Sequence, residues 1–500
     1  MPSPIRDYKY DDKPIDFISR YLPDDLQHIA SVQEVEVMRG YTFRLLLTKS
    51  EEDKRICEFL NQNLGCRRFV WNFYVNRMYK FLEKSGYSGG RIPNEFWKDL
   101  PTTAEMKRME GMQFLSGVSS HTTQGAFLDF KKAVEKYNKE YVLKKGNQLR
   151  KSAKRKIKNG EETGIPYKPT FHDFQGLPRF CAKYFSKESF RLPDDHGSIK
   201  VKICEDDKRF ARLSFQTLKS LTGSDGIKFK LRKTGFNLEK DVYAVTIRRV
   251  EQNKYDVTLH VKMSVKINTL RSEEEVYRTF SKFLLENVGF QRRFCLGLDY
   301  AQKEGCVASR EEENAYLEES HAFAKHYRRA EERLSVYNKI ISRKYESLRK
   351  ENDGKLPEMK EEDKPKALRD IQKKQRRLHR YVKNIRKNGL DMLSFHFAEA
   401  YALVAVEDID LRGLSQSLHL AKNLLDNGFG MFRKMLEYKL EERGLLFVKI
   451  PKFFASSQIC HSCGYKNPIV KDTAIREWTC PSCGEYHDRV ICLIIIIEMI

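Results

Sequence analysis

Five hundred residues exceed one ordinary domain, and with 40% hydrophobic residues the chain can build two to four real cores. Lys and Arg total 92 against 69 Asp and Glu, and the surplus of +23 points to a polyanionic partner, with nucleic acid first in line. A secreted, disulfide-stapled or membrane-spanning chain is excluded from expectation. The first ten residues are polar and Pro-containing, the longest apolar run is Ile491–Ile497, and a bilayer span needs ~20 residues. Of eleven cysteines, four form two C-x-x-C pairs and seven are scattered, which suits a reducing cytoplasm and one metal site.

Residues 1–37 carry no strong period and read as a variable lead-in. Tyr41–Leu47 alternates as a strand does, and Thr48-Lys-Ser-Glu-Glu52 has the Thr/Ser start and first-turn acids of a helix N-terminus. A mostly helical stretch runs from there to about Lys158. Phe59, Leu64, Phe69, Phe73 and Met78 mark one apolar stripe and Phe127, Phe130, Val134 and Tyr137 another, both read as helix-bundle core. Lys144–Lys158 holds eight Lys/Arg and no acid, and is read as a flexible arm for phosphates. Beyond Gly164, short β-rich runs at Phe190–Leu192, Ile199–Ile203, Tyr243–Ile247 and Tyr255–Val261 are spaced by turns as in a small barrel.

A connecting helix is expected over 272–289. Phe294–Leu298 is then a near-continuous apolar run ending at Asp299, the mark of a buried strand. Charged helices over 323–350 and 363–388 precede a second buried strand, Leu403–Val406, which ends at Glu407. No repeat appears at solenoid periods. The expected fold class is α+β multidomain.

Cys460-x-x-Cys463, sixteen residues, then Cys480-x-x-Cys483 is the strongest local signal. Four thiolates at tetrahedral geometry bind one structural Zn²⁺, and Gly464 and Gly484 free each turn so that amides can face the sulfurs. Redox chemistry is the alternative for such pairs. Asp299 and Glu407 each sit at the end of a buried strand, where side chains from distant sequence meet at the mouth of an α/β sheet. Carboxylates gathered there can bind Mg²⁺ for two-metal phosphodiester hydrolysis, although acids at strand ends are common without such a role.

Further motifs extend the pattern: Gly297-Leu-Asp299-Tyr, Val406-Glu407-Asp-Ile-Asp-Leu-Arg-Gly413, Phe454-Ala-Ser-Ser-Gln458 before Cys460, Arg476-Glu-Trp-Thr-Cys480 and His487-Asp-Arg489. Upstream stand Tyr41-x-Phe-Arg-Leu45, Cys66-Arg-Arg-Phe-Val70-Trp-Asn72, Gln124-x-Ala126-x-x-Asp129, Pro178-Arg-Phe180 and Ser189-Phe-Arg191. Together these resemble the transposon-encoded TnpB family over roughly residues 40–490, and type V CRISPR effectors share the same parts.

The resemblance implies a wedge β-barrel over 38–48 and 160–270 with a helical recognition insert over 49–159. It also implies a RuvC-like, ribonuclease-H-fold nuclease over 290–452 and 487–500, and a zinc ribbon over 453–486. A guide RNA would pair with one strand of double-stranded target DNA while the protein reads a short flanking motif. Asp299 and Glu407 carry over as metal-binding carboxylates. Ser120, His121 and Gln124 fall on the helix that resembles the flanking-motif reader, and Arg67, Arg68, Lys151, Lys154 and Arg155 are expected at nucleic acid. A prokaryotic, nucleoid-associated protein is implied; the oligomeric state is left open.

One departure stands out. The family pattern ends His-Asp-Arg-Asp, its last Asp being the third metal ligand, but that position here is Val490, followed by an Ile-rich tail. Asp488 is the nearby carboxylate that a backbone shift would have to supply. A Val codon GTG followed by Ile codons, read two bases later, gives Asp and then Asn, so a frameshift would produce such a tail. The alternatives are a rearranged site, or an RNA-guided DNA-binding protein with weak or no cleavage. A basic RNA-binding zinc protein without enzymatic role is the third reading.

Overall fold

The computed structural model describes residues 14–144, 149–163, 167–182, 188–194, 197–231, 242–251, 253–299, 307–320, 322–352, 354, 363–407, 428–450, 458–460, 463–471, 475 and 477–488. The chain forms two compact units, one from Glu36–Ser264 and the other from Asp11–Val35 with Val265–Ile500. The unit boundaries fall inside two strands, β2 (Ala30–Arg44) and β8 (Lys254–Leu270). Among the described residues no helix is long and apolar enough to cross a membrane.

In the Glu36–Ser264 unit, α1 (Glu51–Lys84) starts where Ser50 caps the Asp53 amide at 3.1 Å and Glu51, Glu52 and Asp53 meet the positive end of the helix dipole. The short α2 (Thr103–Met106) opens with a capping box between Thr102 and Glu105. Then come α3 (Ser120–Lys136) and α4 (Lys151–Thr163). The apolar stripe of α1 that meets α3 runs through Val70, Tyr74 and Met78, with Tyr74 stacked on Phe130 at 5.6 Å. Phe69, expected in that stripe, is 37% exposed, because it precedes the buried Val70 by one residue and so sits ~100° around the helix from it. The buried Asn63 ties the two helices, accepting from Thr122 Oγ1 at 2.8 Å. Lys151–Lys158, expected in a flexible arm, is helical, with Ala153 buried and Lys154 and Arg155 exposed.

The strands of this unit form two sheets. β3 (Ser189–Pro193) pairs antiparallel with β7 (Val242–Glu251), which pairs antiparallel with β8, and β2 pairs with β8. At the β7–β8 turn Asn253 takes a left-handed φ of 56°, which asparagine tolerates better than most residues. The second sheet is β4 (Ile199–Ile203), β5 (Phe210–Phe215) and β6 (Ile227–Lys230), all antiparallel; α5 (Gln216–Thr222) follows β5. Its inner face buries Ile199, Val201, Ala211, Leu213, Ile227 and Phe229.

In the other unit the lead-in is packed, not loose. Ile18, Leu22, Leu26 and Ile29 join the core, and β1 (Ile15–Asp16) pairs parallel with Ile267 and Asn268. Short 3₁₀ turns set this segment, so it shows neither helical nor strand periodicity. The helices α6 (Glu274–Glu286) and α7 (Val288–Phe294) lead into β9 (Cys295–Asp299), and β10 (Val307–Ala308) returns antiparallel beside it. After α8 (Glu311–Ser320), the helices α9 (Ala322–Lys350) and α10 (Lys366–Ala400) pack through Ala330, Leu334, Leu378 and Val382. Then follow β11 (Leu403–Glu407), α11 (Phe429–Glu441) and β12 (Leu446–Ile450). The sheet order is β10-β9-β11-β12, with β9, β11 and β12 parallel.

Gly444, at φ 70°, is required here: a Cβ would sit against the Asn268 carbonyl oxygen. The last hairpin, β13 (Glu477–Thr479) with β14 (Tyr486–Asp488), is antiparallel. This is a mixed α/β architecture with a four-cysteine cluster near its end.

Candidate active site and metal-binding ribbon

The sheet brings the two strand-end acids of the sequence to neighbouring backbone positions. β11 pairs parallel with β9 from Leu403 opposite Cys295 to Val406 opposite Leu298, and one further step along both strands reaches Glu407 and Asp299. Leu296, Leu298, Val404, Ala405 and Val406 are fully buried, so the strands themselves have no room for charge. Charge begins where they end, at the carboxyl edge of a parallel sheet, the usual ligand-binding edge of α/β folds. Glu407 is half-buried, and its backbone carbonyl accepts from Arg433 Nη1 of α11 at 3.4 Å. Arg433 had no motif to announce it, because helix and strand meet only in the fold.

A polar triad joins α8 to the end of α10. Glu313 of α8 accepts from His396 Nε2 and Tyr401 Oη, both at 2.7 Å, and the Tyr316 ring stacks on His396 at 3.9 Å. Burial pushes the Glu313 carboxyl up, but these two hydrogen bonds together with the charges of His396 and Arg310 outweigh it and hold it below the usual carboxylate range.

The four cysteines converge. Their sulfurs all lie within 4.8 Å of one another, with Cys460 to Cys483 at 3.5 Å and Cys463 to Cys480 at 3.6 Å. Tetrahedral thiolates around one metal at ~2.3 Å would stand ~3.8 Å apart, so the donor set fits a metal such as zinc. Each half is the same knuckle. Cys460 N donates to Tyr465 O at 2.8 Å and Gly464 N to Cys460 O at 2.9 Å; Cys480 N donates to Glu485 O at 2.7 Å and Gly484 N to Cys480 O at 2.9 Å. Gly464 and Gly484 hold φ 70° and 77°, the left-handed turn these knuckles need. The Tyr465 amide, helped by the neighbouring thiols and against burial, holds the Cys463 thiol down, to about 7.

Sequence reasoning did not give His487 a place in this ribbon. It is buried, stacks on Trp478 at 4.4 Å, and sets Nε2 3.1 Å from Cys460 Sγ. Its neighbour Asp488 lies opposite Glu477 in the β13–β14 hairpin. The backbone of residues 487–488 pairs with that of Trp478 and Glu477, at the position where the last nuclease segment is expected to begin. Val490 lies outside the described residues.

The expected nucleic-acid contacts divide. Arg67 is ion-paired with Asp129, and Arg68 with the buried Glu188 at 2.6 Å, which Arg249 also holds at 2.8 Å. Both arginines line a cavity of about 180 Å³ with Leu64, Trp71 and Cys181. Both are ion-paired within the protein, partnerships that sequence alone does not reveal. Ser120 and Gln124 are exposed one turn apart on α3, with His121 half-buried beside them. Lys154 and Arg155 are exposed on α4, which also begins with Lys151.

Residues 429–491 match the family model described as Cas12f1-like, TNB domain. That match begins at α11, upstream of the ribbon boundary at 453. A Streptomyces pristinaespiralis protein named "Putative RNA-guided DNA endonuclease" is 32% identical over 168 residues, 33% of this chain and 36% of the relative. A Mycobacterium tuberculosis protein of the same description is 29% identical over 119 residues, 23% of this chain and 25% of the relative. The chain therefore spans between a quarter and about a third of the length of these curated relatives. A solved structure titled "Structure of the mini-RNA-guided endonuclease CRISPR-Cas_phi3" aligns over 93% of both chains at 10% identity and a TM-score of 0.35. Residues 429–491 are thus similar to the Cas12f1-like TNB family, and part of the chain is similar to proteins named putative RNA-guided DNA endonucleases, consistent with the TnpB-like family its motifs resemble.

Proposed function

We propose that this chain is an RNA-guided DNA endonuclease, cutting double-stranded DNA beside a short flanking motif chosen by the protein while a guide RNA supplies the sequence. The observation that carries the reading is the β9–β11 register, which brings the Asp299 and Glu407 positions together at the carboxyl edge of a buried parallel sheet. The names of the relatives support the same activity. A pair of Mg²⁺ ions, when bound, would activate water and stabilise the leaving oxygen. Asp299 and Glu407 would hold them, supplying negative charge and oxygen ligands. The four cysteines would hold one Zn²⁺ as scaffold, since four protein ligands leave no open position.

In this reading 38–48 and 160–270 serve as a wedge β-barrel and 49–159 as the recognition insert. Residues 290–452 and 487–500 would serve as a RuvC-like nuclease. Ser120, His121 and Gln124 would face the flanking motif. Purified protein with its co-purifying RNA, given labelled target DNA and Mg²⁺, is expected to cut only target that carries both guide match and flanking motif. No co-purifying RNA, and no preference for target over random DNA, would overturn the reading.

A further inference from the structure

The backbone at the end of β11 is held by a residue that belongs to neither neighbouring strand. β11 keeps register with β9 as far as Val406 opposite Leu298, so on that side the ladder stops one residue short of Glu407. On the other side Glu407 stands opposite Ile450 of β12. Arg433 reaches the same residue from the helix layer, its Nη1 donating to the Glu407 carbonyl oxygen at 3.4 Å across 26 residues of sequence.

α11 is arranged to keep that arginine in place. Phe429, Phe432, Leu436 and Leu440 recur at helical spacing and are buried in one core with Leu296, Val404 and Val406. Arg433 directly follows Phe432, which puts it ~100° around the helix, half-buried at the margin of the apolar stripe. Beyond the helix, Leu446 N donates to Ala402 O at 2.9 Å, at the amino end of β11. The last turn of α11 therefore leads to the amino edge of the sheet, and its first turns lie toward the carboxyl edge where Glu407 stands. Moving Arg433 would mean moving the packed stripe beside it.

A carboxylate that shares a divalent cation must be aimed to within about 0.5 Å of its working position. Glu407 is the last residue of its strand, with a ladder partner on one side, so the direction of its Cα–Cβ bond depends on how its peptide is held. A guanidinium bonded to its own carbonyl supplies that hold. We propose that Arg433 is a positioning residue of the nuclease, fixing the end of β11 so that Glu407 presents its carboxylate to the cation at the carboxyl edge. This assignment rests on the two-metal reading of Asp299 and Glu407, and deepens it by naming a residue outside the strands on which the geometry depends.

Charge alone makes the opposite prediction. A guanidinium near a metal site repels the metal, so an arginine that contributed only charge would raise metal affinity when removed. An arginine that aims Glu407 lowers it when removed. The test uses Mn²⁺ as probe, titrated into the full chain and read from the paramagnetic resonance signal of the free ion. Glu407→Ala defines the site, as the Mn²⁺ that this variant no longer binds. Arg433→Met, which keeps the apolar stem and removes charge and donors, is expected to bind that Mn²⁺ about tenfold more weakly at an unchanged melting temperature, at the low end of the usual cost of losing an outer partner. Arg433→Lys is expected to recover part of the loss. Unchanged or tighter binding in Arg433→Met overturns the assignment. So does an equal loss in Phe432→Leu, which loosens the stripe and leaves Arg433 in place. If Glu407→Ala removes no Mn²⁺ from the unaltered chain, the two-metal reading itself fails. If it does, and Arg433→Met binds as the original, only the role of Arg433 fails.

Discussion

On the proposed function, positions 299, 407 and 490 would decide the cutting chemistry. Asp299→Ala or Glu407→Ala is expected to abolish Mg²⁺-dependent cutting while target binding in a gel shift stays within about twofold, because the lost interaction is made chiefly in the transition state. Valine at 490 offers neither charge nor a lone pair, so the chain as written is expected to cut slowly, and Val490→Asp to raise the rate at unchanged affinity. Full activity of the unaltered chain would require a carboxylate from elsewhere. His487 acts on the ribbon through Cys460, 3.1 Å away. A ring N–H donated to a metal-bound thiolate fixes its orientation, and losing such a partner typically costs about 10- to 100-fold in metal affinity. His487→Ala should show that loss in a chelator competition, while purified protein retains close to one zinc per chain.

At the scale of elements, charges buried between helices and strands are costly to leave unpaired. Arg443 is fully buried after α11, held by Glu399 of α10 at 3.0 Å and flanked by the Phe17 and Phe395 rings. Glu399→Ala leaves that cation without its carboxylate and is expected to cost about 3 kcal/mol, read as a lower denaturation midpoint. Glu313 gives a pH signature. Its folded-state pKa is depressed, so its stabilisation is complete above the ordinary carboxylate range near ~4.3 and is lost as pH falls through the lower folded value. Glu313→Gln should therefore flatten the acid limb of the stability curve and leave its neutral limb parallel.

Much of this layer was legible in the sequence. The apolar runs ending at Asp299 and Glu407 are β9 and β11, and the Thr/Ser–acid start is the cap of α1. What escaped were features without local period: the 3₁₀ lead-in, the internal partners of Arg67 and Arg68, and the Glu313–His396–Tyr401 triad, drawn from residues 88 apart.

For the whole molecule, assembly order follows from connectivity. β9 and β11 are separated by 108 residues at matched register, yet α9 and α10 form locally and fold back on each other, shortening the loop that must close. Leu334→Ala in that hairpin should delay amide protection over Leu403–Glu407 in pulse-labelled hydrogen exchange, with the ribbon knuckles unaffected. The same connectivity sets a clock on synthesis. At about 5–20 residues per second, β9 leaves the ribosome roughly 5–20 s before its parallel partner is made. During that interval β10 can cover only one edge of it, and the apolar Cys295–Leu298 edge stands open to any passing strand. Cells making this chain are thus expected to need chaperone cover at one moment above others, between the birth of β9 and the arrival of β11.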